Sequence, residues 1–272
     1  MPTPSTATLL TRDAPRWPER AGRWLLAHAS VFLFLAGWEL LPRAGGLLRT
    51  FIAPPSVVAR VLWDILRSGE LAQHAGVSAF RALSGFGLAA VLALPLGFLL
   101  GGRFHAFERV VSPVLSFLGQ VNPFSLFPLF MLLFGIGELS KSALVFWVCL
   151  WPLLFHTTTA VKQLDPLLVR AGRTLGCGPL RLFFRVIVPA ASPGIFAGLR
   201  ASASTAFFML VAAEMIGATS GLGWLVWNSE INFQIARLFT ATVVISVLGL
   251  GLNALLGVLE RRLVGWKGAW SA

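Results

Sequence analysis

Residues 81–100 read RALSGFGLAAVLALPLGFLL, a run whose only charge is the arginine that opens it. A helix crossing the hydrocarbon core of a bilayer needs about 20 predominantly apolar residues, and this run supplies them. The rest of the chain carries the same bias. Of 272 residues, 56% are hydrophobic and 12% are charged, about half the charged share of an ordinary soluble domain. Mean hydropathy is +0.78. So few charges cannot cover a soluble surface, and the expected class is an all-α integral membrane protein. The same figures exclude disorder, collagen-like repeats and a secreted disulfide scaffold.

Five further apolar runs, at residues 24–41, 114–134, 142–156, 194–215 and 239–259, bring the expected number of spans to about six. The third span in chain order, residues 114–134, contains Pro123 and Pro128. Prolines are tolerated in a span when neighbouring helices satisfy the freed carbonyls, so a bent helix inside a bundle is expected there. The first run is long for the apolar region of a signal peptide, and no small-residue cleavage pattern follows closely, so it reads as a retained helix. Residues 1–23 before it form a basic, disordered tail.

A net charge of +11 in a soluble protein would suggest nucleic acid. In a membrane protein it reflects basic loops held on the cytoplasmic side. With the N-terminus inside, that side holds Arg12, Arg16, Arg20, Arg23, Arg103, Arg109, Lys162, Arg170, Arg173, Arg181, Arg185, Arg261, Arg262 and Lys267. The opposite side holds Arg43, Arg49, Arg60, Arg67, Lys141 and Arg237. The bias places both termini in the cytoplasm, with residues 265–272 as a short tail there. The first external loop, residues 42–75, runs against it with four arginines. Within that loop Pro54-Pro55-Ser56 reads as a turn and cap and Gly69 as a stop. Between them an apolar set from Val57 to Leu66 lies at helical spacing. This amphipathic helix either lies on the outer membrane surface or packs against the bundle. Cys149 and Cys177 suggest neither a disulfide nor a metal site, having no clustered thiol or His partners.

The loop between the fourth and fifth runs, residues 157–193, carries the strongest local signals. Asp165-Pro166 caps and starts a short helix over residues 167–175, Gly176 ends it, and Gly178-Pro179 starts another. Arg170 and Arg173 alternate with an apolar or small face of Leu167, Leu168, Ala171 and Leu175. Periodicity alone leaves two readings: a helix pair that docks in a partner's groove, or a basic loop obeying the topology rule.

Spacing in this loop resembles the permease subunit of binding-protein-dependent ABC importers. Their cytoplasmic loop carries Glu-Ala-Ala, three residues, Gly, nine residues, then Ile-x-Leu-Pro. The matching positions are Arg170, Ala171, Gly172, Gly176, Val186, Val188 and Pro189, with Arg170 in place of the Glu and Gly172 in place of the second Ala. A reversed charge at Arg170 would repel any cation that the family's Glu meets, unless the partner differs too. Phe51-Ile52-Ala53-Pro54-Pro55-Ser56, Phe134-Gly135-Ile136-Gly137-Glu138, Val188 to Gly194, Gly198-Leu199-Arg200, Val211 to Met215, Gly221-Leu222-Gly223-Trp224 and Leu259-Glu260-Arg261-Arg262 are similar to the nitrate/sulfonate/taurine branch. Thiamine-precursor permeases share the pattern.

The resemblance implies a type I, MetI-like bundle with a permease core over residues 76–264 in a bacterial inner membrane. It further implies two permease copies lining a path, two ATPase subunits holding ATP and Mg against the loop residues Arg170, Ala171, Gly172, Arg173, Gly176, Val186, Val188 and Pro189, and an external binding protein. Closing of the ATPase dimer would move the loop as a lever. The sequence has no G-x-x-x-x-G-K-[ST] loop, so no ATP chemistry and no bound cofactor are expected on this chain. Nucleic acid is not an expected partner.

Ionisable or polar groups within spans are functional candidates. Glu214 is either an outer gate or binding-protein contact, or a structural pair. Gln120, Asn122 and Ser125, with Ser202, Ser204 and Thr205, either line a wet path or bond between helices. Glu138 and Lys141 suggest an exposed turn, and Trp24, Trp151, Trp224 and Trp266 suggest interface belts. A lone His156 at the inner interface reads as structural before it reads as a proton relay. Gly97 with Gly101, and Gly194 with Gly198, suggest close helix crossings. A self-contained secondary transporter would need paired broken helices or a mid-membrane charge relay, and a membrane enzyme would need a catalytic cluster. The sequence shows neither, and the resemblance implies a permease subunit for a small oxyanion such as an aliphatic sulfonate, taurine or nitrate.

Overall fold

Most of the apolar runs are helices longer than the runs themselves in a computed structural model of the chain, which describes residues 17–45, 50–102 and 105–263. Two units are distinguished, residues 1–59 and 60–272. In the first, α1 (Trp17–Leu40) begins inside the expected basic tail and ends in a 3-10 turn, Leu41–Ala44, that carries Pro42. Helix α2 (Pro55–Arg67) starts there too, at the expected cap. The Trp38 indole donates to the Ala53 carbonyl at 3.0 Å. The Glu39 carboxylate pairs with Arg43 and accepts from the Ser56 amide at 3.0 Å.

Helix α3 (Glu70–Gly101) follows Gly69, whose φ of +78° is costly for any residue with a Cβ. Then come α4 (His105–Gly119), α5 (Pro123–Phe134), α6 (Glu138–Lys162) and α7 (Pro166–Thr174). A single helical turn, Pro179–Leu182, and a π-helical turn, Phe183–Ile187, lead into α8 (Val188–Met215). Two more helices, α9 (Leu222–Ile231) and α10 (Ile235–Leu263), complete an order that contains no strand among the described residues. Four helical stretches, including Pro179–Met215 as one, are long and apolar enough to span a bilayer, and a bent pair makes a fifth if counted as one span. The tail residues 1–16 and 264–272, with Arg12, Arg16, Arg49, Arg103, Lys267 and Trp266, lie outside the described residues, as does the Trp24 side chain.

One expected helix is two. The run at 114–134 breaks between α4 and α5 with a change of direction of 90°. Pro123 is the cause. It opens α5 as the first residue, where its missing N–H costs nothing, while the Asn122 side chain accepts from the Phe124 amide at 2.9 Å.

Helix α6 is the centre of the second unit, with α3 against one side and α8 against another. The buried stripe of α3 repeats every fourth residue: Gly85, Ala89, Ala93, Gly97 and Gly101. Both α3 and α6 therefore approach at backbone distance. A Cβ placed on Gly85 would stand 2.6 Å from the Ser142 carbonyl oxygen, and one on Gly97 would stand 2.6 Å from Thr157 Cβ. Across the other side, Gly194 meets Ala160, and a Cβ on Gly198 would lie 2.7 Å from His156 Cβ. Both glycine pairs thus make the close crossings that their spacing suggests. Around them, Val145, Cys149 and Leu210 form a fully buried cluster with Ala89. Trp151 is buried in this core against Trp147, not in an interface belt.

Gly85→Val should lower stability by about 1–3 kcal/mol through overpacking. Gly87→Val, where an added Cβ meets nothing within 4 Å, should change it by less than about 0.5 kcal/mol. Unfolding midpoints of the detergent-purified protein would compare the two.

Candidate coupling loop and buried charge network

Two polar assemblies stand at opposite ends of α6. At its C-terminal end Asp165 caps α7, accepting from the Leu167 amide at 2.8 Å, and Pro166 opens the helix. The helix ends where Cys177 N–H donates to the Gly172 carbonyl at 3.1 Å and Gly176 N–H to the Arg173 carbonyl at 3.0 Å. This paired closure needs a left-handed residue, and Gly176 supplies it with φ +77°. Gly172 has a different task. It is buried, and a Cβ there would fall 2.6 Å from Leu182 Cδ1 and 3.5 Å from Val186 Cγ2. Helix α7 is therefore seated on the turn that leads into α8, with Val188 and Pro189 at the start of that helix.

Every other residue of α7 faces outward wholly or in part, including Arg170, Ala171 and Arg173. Leu167, Leu168, Leu175, Leu180 and Phe184 are 50–83% exposed, an apolar set interleaved with exposed Arg181 and Arg185. The surface offered is apolar and cationic together.

At the N-terminal end of α6 lies a network that sequence reasoning missed. Arg81 is fully buried. Its Nη1 donates to Glu214 Oε1 and to the Ser220 carbonyl, both at 2.7 Å, and its Nη2 donates to Glu138 Oε1 at 2.6 Å. Glu214, also fully buried, accepts further from Ser78 Oγ at 2.7 Å and from the Gly223 amide at 2.9 Å. The amides of Gly221 and Leu222 donate to His74 Nδ1 at 3.1 Å and Ser78 Oγ at 2.9 Å. Gly221 holds φ +117°, and a Cβ there would strike the Glu214 carboxylate. Trp224 lies over His74, ring centres 5.2 Å apart.

Of the two readings of Glu214, these contacts match the structural pair: its carboxylate is enclosed, is paired with Arg81 and offers no surface to an external protein. The exposed turn expected of Glu138 and Lys141 holds for one of them: the Glu138 side chain is 58% exposed while paired with Arg81, whereas Lys141 is only 3% exposed and reaches the Gly137 carbonyl at 3.2 Å. The buried guanidinium of Arg81 is matched by two carboxylates, Glu138 and Glu214, and the Lys141 ammonium is held by the Gly137 and Gly217 carbonyls at 3.2 and 3.5 Å. The signal in the sequence was Arg81 itself, a lone arginine at the mouth of an apolar run.

Of the polar residues named for a path, Ser202 is fully buried and donates to the Cys149 carbonyl at 2.9 Å. It bonds α8 to α6 and lines no path in this conformation. Asn122 is occupied as the cap of α5, and Gln120 donates to the Ser116 carbonyl at 3.1 Å. Gln120, Asn122 and Ser125 are nonetheless exposed at the break between α4 and α5. Ser204 and Thr205 are exposed on α8, where Ser204 bonds to Asn253 at 3.0 Å and Thr205 to its own helix at the Ala201 carbonyl. No group of three or more potential metal ligands occurs among the described residues.

Arg81→Gln should cost about 3–5 kcal/mol, because it leaves Glu214 buried and uncompensated. Pairing it with Glu214→Gln should recover part of that loss, and unfolding midpoints of the two variants would show the coupling.

Residues 93–265 match the family described as the binding-protein-dependent transport system inner membrane component. The chain is 34% identical over 252 residues to the putative aliphatic sulfonates transport permease protein SsuC of Escherichia coli (strain K12), covering 91% of this chain and 95% of that one. It is 33% identical over 233 residues to a probable ABC transporter permease protein of Brucella abortus (strain 2308), covering 86% and 92%. In three dimensions it is similar to a chain of the inward-facing MetNI methionine ABC transporter, with a TM-score of 0.60 at 18% identity over 69% of this chain and 93% of that one. The helical order, the apolar spans and these matches together establish that the chain belongs to the binding-protein-dependent transport family and is a membrane-spanning permease subunit of an ABC importer with the type I fold.

Proposed function

We propose that this permease carries a small oxyanion, an aliphatic sulfonate or taurine foremost and nitrate next, across a bacterial inner membrane by alternating access. The observation that carries the mechanism is the exposed helix α7 seated on the start of α8 through Gly172 and Leu182. Two ATPase subunits, which bind ATP and Mg, hold α7 of each permease in a cleft, with Leu167, Leu168 and Leu175 as anchors. Arg170 and Arg173 meet acidic groups at the rim. When the ATPase dimer closes, α7 moves, and its contact with Leu182 and Val186 passes the displacement into α8. Two copies of this chain form the path, an external binding protein delivers substrate, and the termini lie in the cytoplasm with six spans between them.

Support for the substrate class comes from the sulfonate permease named above. A secondary transporter calls for two matching broken helices. The described residues contain one broken pair, α4 with α5, and the short α7 stands outside any span.

Leu175→Asp with Leu180→Asp should reduce co-purification of the ATPase, and substrate uptake, at least tenfold while leaving the bundle folded, as judged by its unfolding midpoint. Uptake driven by an ion gradient through this chain alone, indifferent to ATP, would overturn the assignment. A rise in the melting temperature of the cognate binding protein with taurine or an alkanesulfonate would fix the substrate class.

A further inference from the structure

We propose that the turn entering α9 is an acid-sensitive latch, and that protonation of His74 releases it. The latch consists of three consecutive backbone amides at the end of the bundle opposite α7. Gly221 caps α9, and Leu222 and Gly223 open it. Their N–H groups donate to His74 Nδ1 at 3.1 Å, Ser78 Oγ at 2.9 Å and Glu214 Oε2 at 2.9 Å. Amides at the start of a helix have no acceptor within it, and here α3 and α8 supply all three. His74 and Ser78 are one turn apart on one face of α3, and Glu214 stands in the last turn of α8. Loss of one acceptor leaves a buried N–H without a partner, which costs free energy until the turn moves toward water.

Of the three acceptors, Ser78 does not titrate and Glu214 is engaged with Arg81. Histidine is the residue whose charge ordinarily changes between about pH 5 and 8. A neutral imidazole has one nitrogen that donates and one that accepts, whereas the protonated ring has two donors. Because Nδ1 accepts from Gly221, the hydrogen of the neutral ring is on Nε2, which lies 3.6 Å from Glu70 Oε1. Nδ1 can thus take a proton only by giving up the amide, so protonation and release are one event. Both partners are closely held in the latched state. The ring is buried against Trp224, and Gly221 sits at φ +117° with the Glu214 carboxylate where a Cβ would stand.

The surrounding charges leave no place for another cation. They are Glu70 and Arg81 on α3 itself, Glu138 and Lys141 on α6, Glu214 on α8 and Arg237 on α10. Glu70 is paired with Arg237, and Arg81 with both Glu138 and Glu214. Lys141 is held by the Gly137 and Gly217 carbonyls. With His74 neutral the set balances, three anions against three cations, and a proton on the ring adds a charge with no carboxylate of its own. Glu70 and Arg237 are 30% and 29% exposed, so the cluster meets water at that edge. Release of the latch frees α9 from α3 and loosens the end of α8 that lies opposite α7. A stroke delivered to the start of α8 then dissipates as slack. That last consequence rests on the coupling reading above, whereas the latch itself does not.

Two measurements on the detergent-purified full chain read the latch alone. The first is amide hydrogen exchange across residues 216–224, compared at matched pH with His74→Asn, whose Oδ1 can accept from Gly221 without titrating. At about pH 5.5 the unaltered protein should exchange about tenfold faster than the variant, and at about pH 7.5 no faster. Equal protection at both would overturn the proposal. The second needs no variant: nitrogen NMR of the His74 ring should show imidazolium forming at the pH where the segment loses protection. A ring that stays neutral to about pH 5.5, or one that charges while the segment stays protected, would overturn it equally. The whole transporter in proteoliposomes, with ATPase and binding protein, tests the consequence. Acidifying the binding-protein side to about pH 5.5 should lower uptake about threefold with ATP hydrolysis retained, and His74→Asn should resist that loss. Latch release with unchanged uptake would overturn the coupling consequence and leave the latch standing.

Discussion

In hydrocarbon two helices gain nothing by hiding leucines from one another, so α3 and α6 have to associate through close packing and hydrogen bonds. The absence of side chains at Gly85, Gly97 and Gly101, with only methyl groups at Ala89 and Ala93, permits that approach. Everything else in the second unit is arranged on this contact. Helix α8 repeats the device on another side of α6 with Gly194 and Gly198. The seam also accounts for the position of the charge network. Where the small residues stop, at Arg81, the space between helices is filled by a guanidinium and two carboxylates instead of by close backbones. That network fastens the turn before α9 to α3, α6 and α8 with directional bonds.

The other end of α6 is built on different terms. Helix α7 is short, has one buried residue, and exposes large apolar side chains that no neighbour in this chain covers. Its single point of seating, Gly172 against Leu182, lies on a turn that continues through a π-helical segment, Phe183–Ile187, into α8. A π turn widens the backbone and interrupts the regular ladder, and such turns gather at functional sites. The end of the bundle with buried charge is thus fastened by directional bonds, and the end with exposed apolar surface is the one on which the proposed ATPase contact would act.

Much of this was legible in the sequence. The apolar runs, the cap at Asp165-Pro166, the stop at Gly176 and the glycine pairs each depend on local chemistry, and each could be read locally. What escaped were features that join distant segments. Glu214 and Arg81 are separated by 133 positions, so nothing near either residue announces the other. Ser202 left two readings open, a path residue or a bond between helices, because a serine in a span is ambiguous until its neighbour is known, and the neighbour is the Cys149 carbonyl. The right angle at Pro123 was underestimated for the opposite reason. A proline at the first position of a helix and one inside a helix look alike until Asn122 is recognised as the cap.

The two cysteines illustrate a last consequence of the packing. Cys149 is sealed in the core, while Cys177 sits partly open in the closure that ends α7. The native chain therefore already possesses a solitary addressable thiol beside the part expected to travel. A spectroscopic probe attached there would watch the stroke directly, without any cysteine having to be removed or introduced.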